Sequence, residues 1–274
     1  MAKALIPAQR HRMIREYLEI HQIVRSSVLS EMLGASEATI RRDLELLEKQ
    51  GIVERAYGGA ILTQRMPTEP AYANSMLAHP EEKHAIGVAA AQLVKDGDTI
   101  FVNSGTTTAA LLHALRARQE LNEVTVITNN VTVTADPREV GFELILLGGS
   151  FRSRSNSTVG RFADEQLRKF CASHAFIGVD GISLKFGCTT PSTVEAEVAQ
   201  RMIEQTRGPV VVVADHSKWG VVSNYSICPL DQIHSLVVDS GLAPDSRAEL
   251  RAHSVDVIIA DTEPGNNGRG SGLA

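Results

Sequence analysis

The chain has little cysteine: Cys171, Cys188 and Cys228 are odd in number and far apart in 274 residues. That pattern fits neither a disulfide framework nor a CxxC zinc ribbon, and reads as three reduced thiols. Aromatic residues are only 4 % of the chain, with a single Trp. No apolar run approaches the roughly 18–20 residues of a membrane span. The first thirteen residues (MAKALIPAQRHRM) lack the apolar stretch of about 7–15 residues that marks a signal peptide. A cytoplasmic protein without a membrane partner is expected. The net charge of -5 excludes a strongly basic chain but leaves room for a local basic patch. The patterns GxxxxGK[ST], strand-linked GxGxxG, HExxH and GxSxG are missing. The nine histidines show no metal-ligand spacing, so neither metal nor cofactor is expected.

What is present is an ordinary globular mix, 43 % hydrophobic and 22 % charged. At about 100–200 residues per domain, the length allows one or two domains. Charge divides unevenly between them. Residues 1–65 hold ten Lys/Arg against eight Asp/Glu, and the remainder 17 against 24. Two prolines in Arg65-Met-Pro-Thr-Glu-Pro-Ala interrupt any regular element. We expect a first unit over 1–62, a linker over 63–80, a second unit over 81–261 and a Gly-rich flexible tail over 262–274.

In the first unit, Met13, Ile14, Tyr17 and Leu18 form a helical stripe over 8–21. Ser27 is suited to cap a second helix through Leu33, with Val28, Met32 and Leu29 facing inward. Gly34 ends it. Ser36 then caps a third helix whose Ile40, Leu44 and Leu47 share a buried face, and Gly51 closes it. Ile52–Ile61 follows with extended flanks around a Gly58-Gly59 turn. This is the spacing of a helix-turn-helix with a wing. In a helix-turn-helix the N-terminal part of the third helix enters the major groove. Ala38, Thr39 and Arg42 are therefore candidates for base edges, and Ser36, Arg41 and Arg55 for phosphates. Arg41 and Arg42 also have Glu37, Asp43 and Glu45 as possible local ion-pair partners.

From residue 80 the pattern alternates. Apolar runs at 99–102, 124–128, 142–147, 174–179, 209–214, 235–239 and 255–260 are separated by helical stretches, which indicates a parallel sheet covered on both faces. Ligands in such folds bind at the carboxyl ends of strands. There the chain places Asn103-Ser104-Gly105-Thr106-Thr107-Thr108 before a helix, a sequence suited to phosphate. Asn129 ends the next run, and Gly149 with Arg152 the one after. Asp180-Gly181 follows 174–179, with Thr189 and Glu195 beyond. Lys218 follows 209–214, and His216 beside it is a polar contact without an assigned role. Together these residues match a phosphorylated sugar or polyol: anion on helix N–H groups and cations, hydroxyls on carboxylates and amides.

The run Ser36-Glu-Ala-Thr-Ile-Arg-Arg-Asp-Leu-Glu-Leu-Leu-Glu-Lys-Gln-Gly-Ile-Val with Arg55-Ala-Tyr-Gly-Gly-Ala resembles the helix-turn-helix signature of bacterial DeoR-family transcriptional regulators. Asn103-Ser-Gly-Thr-Thr-Thr, Leu147-Gly-Gly-Ser-Phe-Arg, Val179-Asp-Gly-Ile, Thr189-Thr-Pro and Asp215-His-Ser-Lys-Trp-Gly resemble that family's sensor domain. The resemblance covers roughly residues 8–261. It implies an α/β sensor similar in fold to ribose-5-phosphate isomerase, CoA transferases and translation initiation factor subunits. Ser104–Thr108 would hold phosphate, and Asp180, Glu195 and Lys218 would line the sugar end. The expected function is a homo-oligomeric repressor, a dimer or tetramer, of a carbohydrate-utilisation operon, binding operator DNA under control of the sugar phosphate. The alternative is an isomerase-like enzyme with Glu195 as base. The isomerases carry a second Asp where this chain has Ser183, which weakens that alternative. Residues 65–80 and the helix after them would carry the coupling between the two units.

Overall fold

The structure is a computed structural model that describes residues 5–135 and 141–261; the tail expected over 262–274 lies outside the described residues. The chain begins with α1 (Pro7–His21), β1 (Ile23–Arg25), α2 (Ser26–Leu33), α3 (Glu37–Lys49), β2 (Val53–Ala56) and β3 (Gly59–Leu62). Strands β2 and β3 pair antiparallel, with Ala56 opposite Gly59, and β1 joins along β3. The Ser36 hydroxyl accepts from the Thr39 N–H at 3.3 Å, which satisfies one of the unpaired donors at the start of α3. Ile40, Leu44 and Leu47 are buried among Ile14, Leu18, Leu29 and Val53. Helix α2 differs from expectation. It starts at Ser26 with Arg25 in the capping position, and buries Ser26, Leu29 and Leu33. Val28 and Met32 are 40 % and 39 % exposed. At 100° per residue they lie one step round from the buried row, so an inward Leu29 turns Val28 outward.

Asp43 knits this head together. Arg10 Nε donates to it at 2.7 Å, and His11 Nε2 lies 2.8 Å away. Burial works to raise the Asp43 carboxyl pKa, and the hydrogen bonds from Arg10 and His11 outweigh it, leaving it below the usual carboxylate range.

Next come β4 (Gln64–Arg65), α4 (Tyr72–Leu77) and α5 (Pro80–Ala91). The segment expected as a linker is thus structured. The sensor continues with β5 (Thr99–Val102), α6 (Thr106–Arg116), β6 (Thr125–Thr128), β7 (Glu143–Leu146), β8 (Ser150–Arg152), β9 (Ser157–Val159) and α7 (Arg161–Leu167). It then runs through β10 (His174–Gly178), β11 (Gly181–Ser183), β12 (Gly187–Thr190), α8 (Thr193–Glu204), β13 (Val210–Val213), β14 (Val221–Val222) and β15 (Tyr225–Cys228). It ends with β16 (Ser235–Asp239), α9 (Pro244–Ala252) and β17 (Asp256–Ala260).

Seven of these strands form a parallel sheet in the order β17-β16-β13-β10-β5-β6-β7. Strands of Val, Ile and Phe are buried on both faces, because helices cover both. Helices α5 and α6 pack Ile86, Leu111 and Leu115 on one face. Helices α7, α8 and α9 pack Leu167, Met202 and Leu250 on the other. From β5 the chain winds outward through β6 and β7, and from β10 it winds the opposite way. The order therefore reverses between β5 and β10, where a crevice opens at the strand ends.

Smaller pieces decorate this sheet. Strands β11, β12 and β15 form an antiparallel sheet, β8 and β9 a hairpin, and β14 pairs in parallel with β4. The last pairing ties the connector to the sensor. Gln64 N donates to Gly220 O at 2.8 Å and Met66 N to Val222 O at 2.9 Å. Gly220 has φ +78°, and a Cβ there would lie 2.5 Å from Leu62 O, so the crossing requires glycine.

Leu44 is fully buried in the head. Leu44→Ala is expected to cost about 2–5 kcal/mol, read by urea denaturation followed by circular dichroism. A loss below roughly 1 kcal/mol, smaller than a core leucine truncation gives, would contradict this packing.

Candidate functional site

The exposed side of α3 carries Ala38, Arg41 and Arg42. Arg41 lies 3.9 Å from Glu37, a contact on the helix surface. Ser36 and Thr39 are within 2.9 Å of each other through their hydroxyls. Arg55, on β2, is half-buried and donates Nη1 to Arg41 O at 3.5 Å, while its Nε is buried without a partner. All six sequence-chosen residues of the head therefore lie on or against the start of α3. The sensor faces the same region. Arg25 Nη2 donates to Asp245 on α9 at 2.7 Å, and the Tyr57 N–H at the hairpin turn donates to both oxygens of Glu249 at 3.1 Å. Glu54 accepts from Leu184 N at 2.9 Å.

The second site is a cavity of about 90 Å³ at the point where the sheet order reverses. Asn103 locks its floor. Its Nδ2 donates to Gly178 O at 2.9 Å, and its Oδ1 accepts from Gly178 N at 2.7 Å, bridging the ends of β5 and β10. Ser104, Gly105, Thr106 and Thr107 form one wall, at the N-terminus of α6. Gly105 has φ +146° there, which lets the chain turn sharply into the helix. Asp180, Glu195 and Lys218 complete the set that the sequence brings together.

Both carboxyls are shifted. Burial pushes the Asp180 pKa up, opposed by a hydrogen bond from Thr190 (2.8 Å) and the charge of Lys218. Burial likewise raises that of Glu195, against Ser155 and Arg152. Glu195 accepts from Ser157 Oγ at 3.2 Å, Ser104 Oγ at 3.4 Å and Arg152 Nη1 at 3.4 Å. The carboxyl oxygens of Asp180 and Glu195 can accept from hydroxyls.

The remaining expected residues stand behind the wall. Thr108 donates Oγ1 to Gly105 O and is buried. Asn129 donates to Thr158 O and braces β9. Gly149 begins the β8 hairpin, and Gly181 sits where a Cβ would meet Val221 O at 2.3 Å. Thr189 accepts from Ser223 N at 3.0 Å, whereas Thr190 lines the cavity. Successive residues of a strand face opposite ways, so only one of the two threonines can point inward. Arg152 stands behind three residues that line the cavity, bonded to Glu69, Ser155 and Glu195.

Sequence reasoning missed Glu69, Tyr72, Ser75 and Lys83, which all line the cavity from the connector and α5. No signal for them exists in a strand-end search, because none follows a strand of the large sheet. Lys83 is buried, donates to Ser75 O and Ala78 O, and burial lowers its pKa. His216, two residues before Lys218, pairs with Asp239 at 2.7 Å. Among the described residues no cluster of His, Cys, Asp and Glu could hold a metal ion. Nor is any described helix long and apolar enough to cross a membrane.

Residues 10–66 match the family described as DeoR-like helix-turn-helix domain, and residues 78–240 that described as DeoR C terminal sensor domain. The chain is 33 % identical over 255 residues to the putative aga operon transcriptional repressor of Escherichia coli O157:H7, covering 92 % of this chain and 93 % of that one. It is 34 % identical to the transcriptional repressor GlcR of Bacillus subtilis, covering 93 % and 96 %. It is 32 % identical to the transcriptional regulator GlpR of Haloferax volcanii, covering 93 % and 98 %. Ribose 5-phosphate isomerase A from Methanocaldococcus jannaschii aligns over 50 % of this chain and 53 % of that one, at 20 % identity and a TM-score of 0.37. That likeness is too slight to bear on function.

The hydrogen bond to Asp239 raises the His216 pKa, against burial. Burial works to raise that of Asp239, and His216 more than offsets it. The raised His216 pKa stabilises the fold fully below about pH 6.5, the unfolded value, and that part is lost as pH rises through the folded value. The depressed Asp239 pKa contributes above about pH 3.9 and is lost as pH falls through its folded value. His216→Gln should therefore lower the melting temperature most between about pH 4 and 6.5, and less at high pH. A pH-independent difference in thermal melts would contradict the pairing.

Proposed function

Because the chain belongs to the DeoR family of helix-turn-helix transcriptional regulators, we propose that it acts in the cytoplasm as a homo-oligomeric repressor of a carbohydrate-utilisation operon. A phosphorylated sugar or polyol in the cavity sets its grip on operator DNA. The observation that carries this reading is the cavity: the uncapped start of α6, with its hydroxyls, lines it together with Lys218, Asp180 and Glu195. The helix end and the ammonium suit phosphate. The carboxyls suit the sugar hydroxyls. Thr106 and Thr107 hold the phosphate, and Asp180 and Glu195 orient the polyol.

In the head, Ala38, Thr39 and Arg42 meet base edges in the major groove, and Ser36, Arg41 and Arg55 hold phosphates. A bidentate Arg–guanine contact is worth about 1–3 kcal/mol of discrimination. Two-fold symmetry places two such helices on paired half-sites. The chain is a regulator and not an enzyme: the relatives above are named regulators, and the Ser183 hydroxyl is buried, accepting from Phe186 N at 3.0 Å. No second carboxylate reaches the cavity from that strand.

Arg42→Ala is expected to abolish specific operator retardation in a gel shift while the circular dichroism stays native. Unchanged operator affinity would count against the α3 assignment. Joint replacement Thr106→Ala and Thr107→Ala should leave operator binding intact and remove the response to the sugar phosphate that raises the wild-type melting temperature. A normal calorimetric response in that variant would refute the phosphate wall.

A further inference from the structure

Glu69 belongs to the connector, yet its carboxylate sits inside the sensor. It forms a two-pronged pair with the Arg152 guanidinium and is 12 % exposed at its side chain. Arg154 Nε donates to Glu69 O at 3.1 Å, and Tyr72 N donates back to Arg154 O at 3.0 Å. Glu69 also lines the cavity, which retains only about 90 Å³ with that carboxylate in place. A planar guanidinium takes a carboxylate or a phosphate through the same fork. Arg152 has two other contacts, Ser155 Oγ at 3.2 Å and Glu195 Oε2 at 3.4 Å, both longer than its bonds to Glu69.

The geometry points to Arg152 as an anion subsite whose resident occupant is Glu69, displaced when a ligand places its own anionic group there. This rests on the cavity being the effector site and adds its regulation: the displaced group is part of the connector to the head. Leaving Arg152, Glu69 releases the stretch between the β4 pairing and α4. The freed stretch then runs up to Gln64 and Met66, whose bonds to residues 220 and 222 are the next hold between connector and sensor. The ligand class this favours is a sugar or polyol with two anionic groups, one at the start of α6 and one at Arg152, with Glu195 between them.

The test needs no knowledge of the sugar. The full-length wild type, Glu69→Gln, Arg152→Gln and the double variant are titrated with inorganic phosphate by calorimetry, and their amide hydrogen exchange is mapped. Glu69→Gln should bind phosphate at least about tenfold more tightly than wild type, the gain being lost in the double variant. The Met66 and Tyr72 amides should exchange about tenfold or more faster in Glu69→Gln and in Arg152→Gln, with Phe101 and Val212 unchanged. Equal phosphate affinity in wild type and Glu69→Gln overturns the proposal, as does a gain that persists without Arg152. If Glu69→Gln does not fold, unchanged Met66 and Tyr72 exchange in Arg152→Gln overturns it, and faster exchange confined to those amides supports it. Should operator binding prove indifferent to every sugar phosphate while the Arg152-dependent gain remains, the regulatory reading fails and the subsite stands.

Discussion

Residues 63–80 join the head to the sensor, beside the direct contacts made by Arg25, Glu54 and Tyr57. Two backbone hydrogen bonds fix β4 on β14, Ser223 and Asn224 donate to Met66 O and Pro67 O, Arg154 donates to Glu69 O, Tyr72 N donates to Arg154 O, and Glu69 sits on Arg152. A typical hydrogen bond contributes about 0.5–1.5 kcal/mol net. Losing one such bond therefore removes only part of the connector's hold on the sensor.

The contacts between head and α9 are graded in the same way. Arg25 and Asp245 are 62 % and 43 % exposed, and a pair so open to water is worth about 0–1 kcal/mol. Glu249, buried beneath Tyr57 N–H, is the firmer hold. Beyond α9, Glu54 accepts from Leu184 N and Ile61 packs into the sensor's core, and the groups that face α9 neighbour α3.

Much of this was legible in the sequence, for identifiable reasons. The α3 cap, its buried row and the β2–β3 turn depend on local spacing, and so they read directly from Ser36, Ile40, Leu44, Leu47 and Gly58. The parallel strands read from apolar runs, because burial on both faces removes alternation. Two differences have physical causes. Thr190 and not Thr189 faces the cavity, because β12 imposes a two-residue period. Val28 and Met32 face outward, because apolar character alone does not fix the rotation of a short helix. Glu69 and Lys83 were unreadable in principle: they reach the cavity through tertiary placement of the connector and α5, and no local pattern encodes that. Asn103 stands in the phosphate-suited run, but its bridge between β5 and β10 depends on the strand order that puts those strands side by side.

Coupling between two sites must be reciprocal. The most direct measurement is the calorimetric affinity of one stabilising sugar phosphate for the full-length protein, with and without saturating operator duplex. The account predicts that operator changes that affinity by the factor by which the ligand changes operator affinity, on the order of 5–150-fold. Identical ligand affinity in the presence and absence of operator would contradict it, because cavity and head would then be energetically separate.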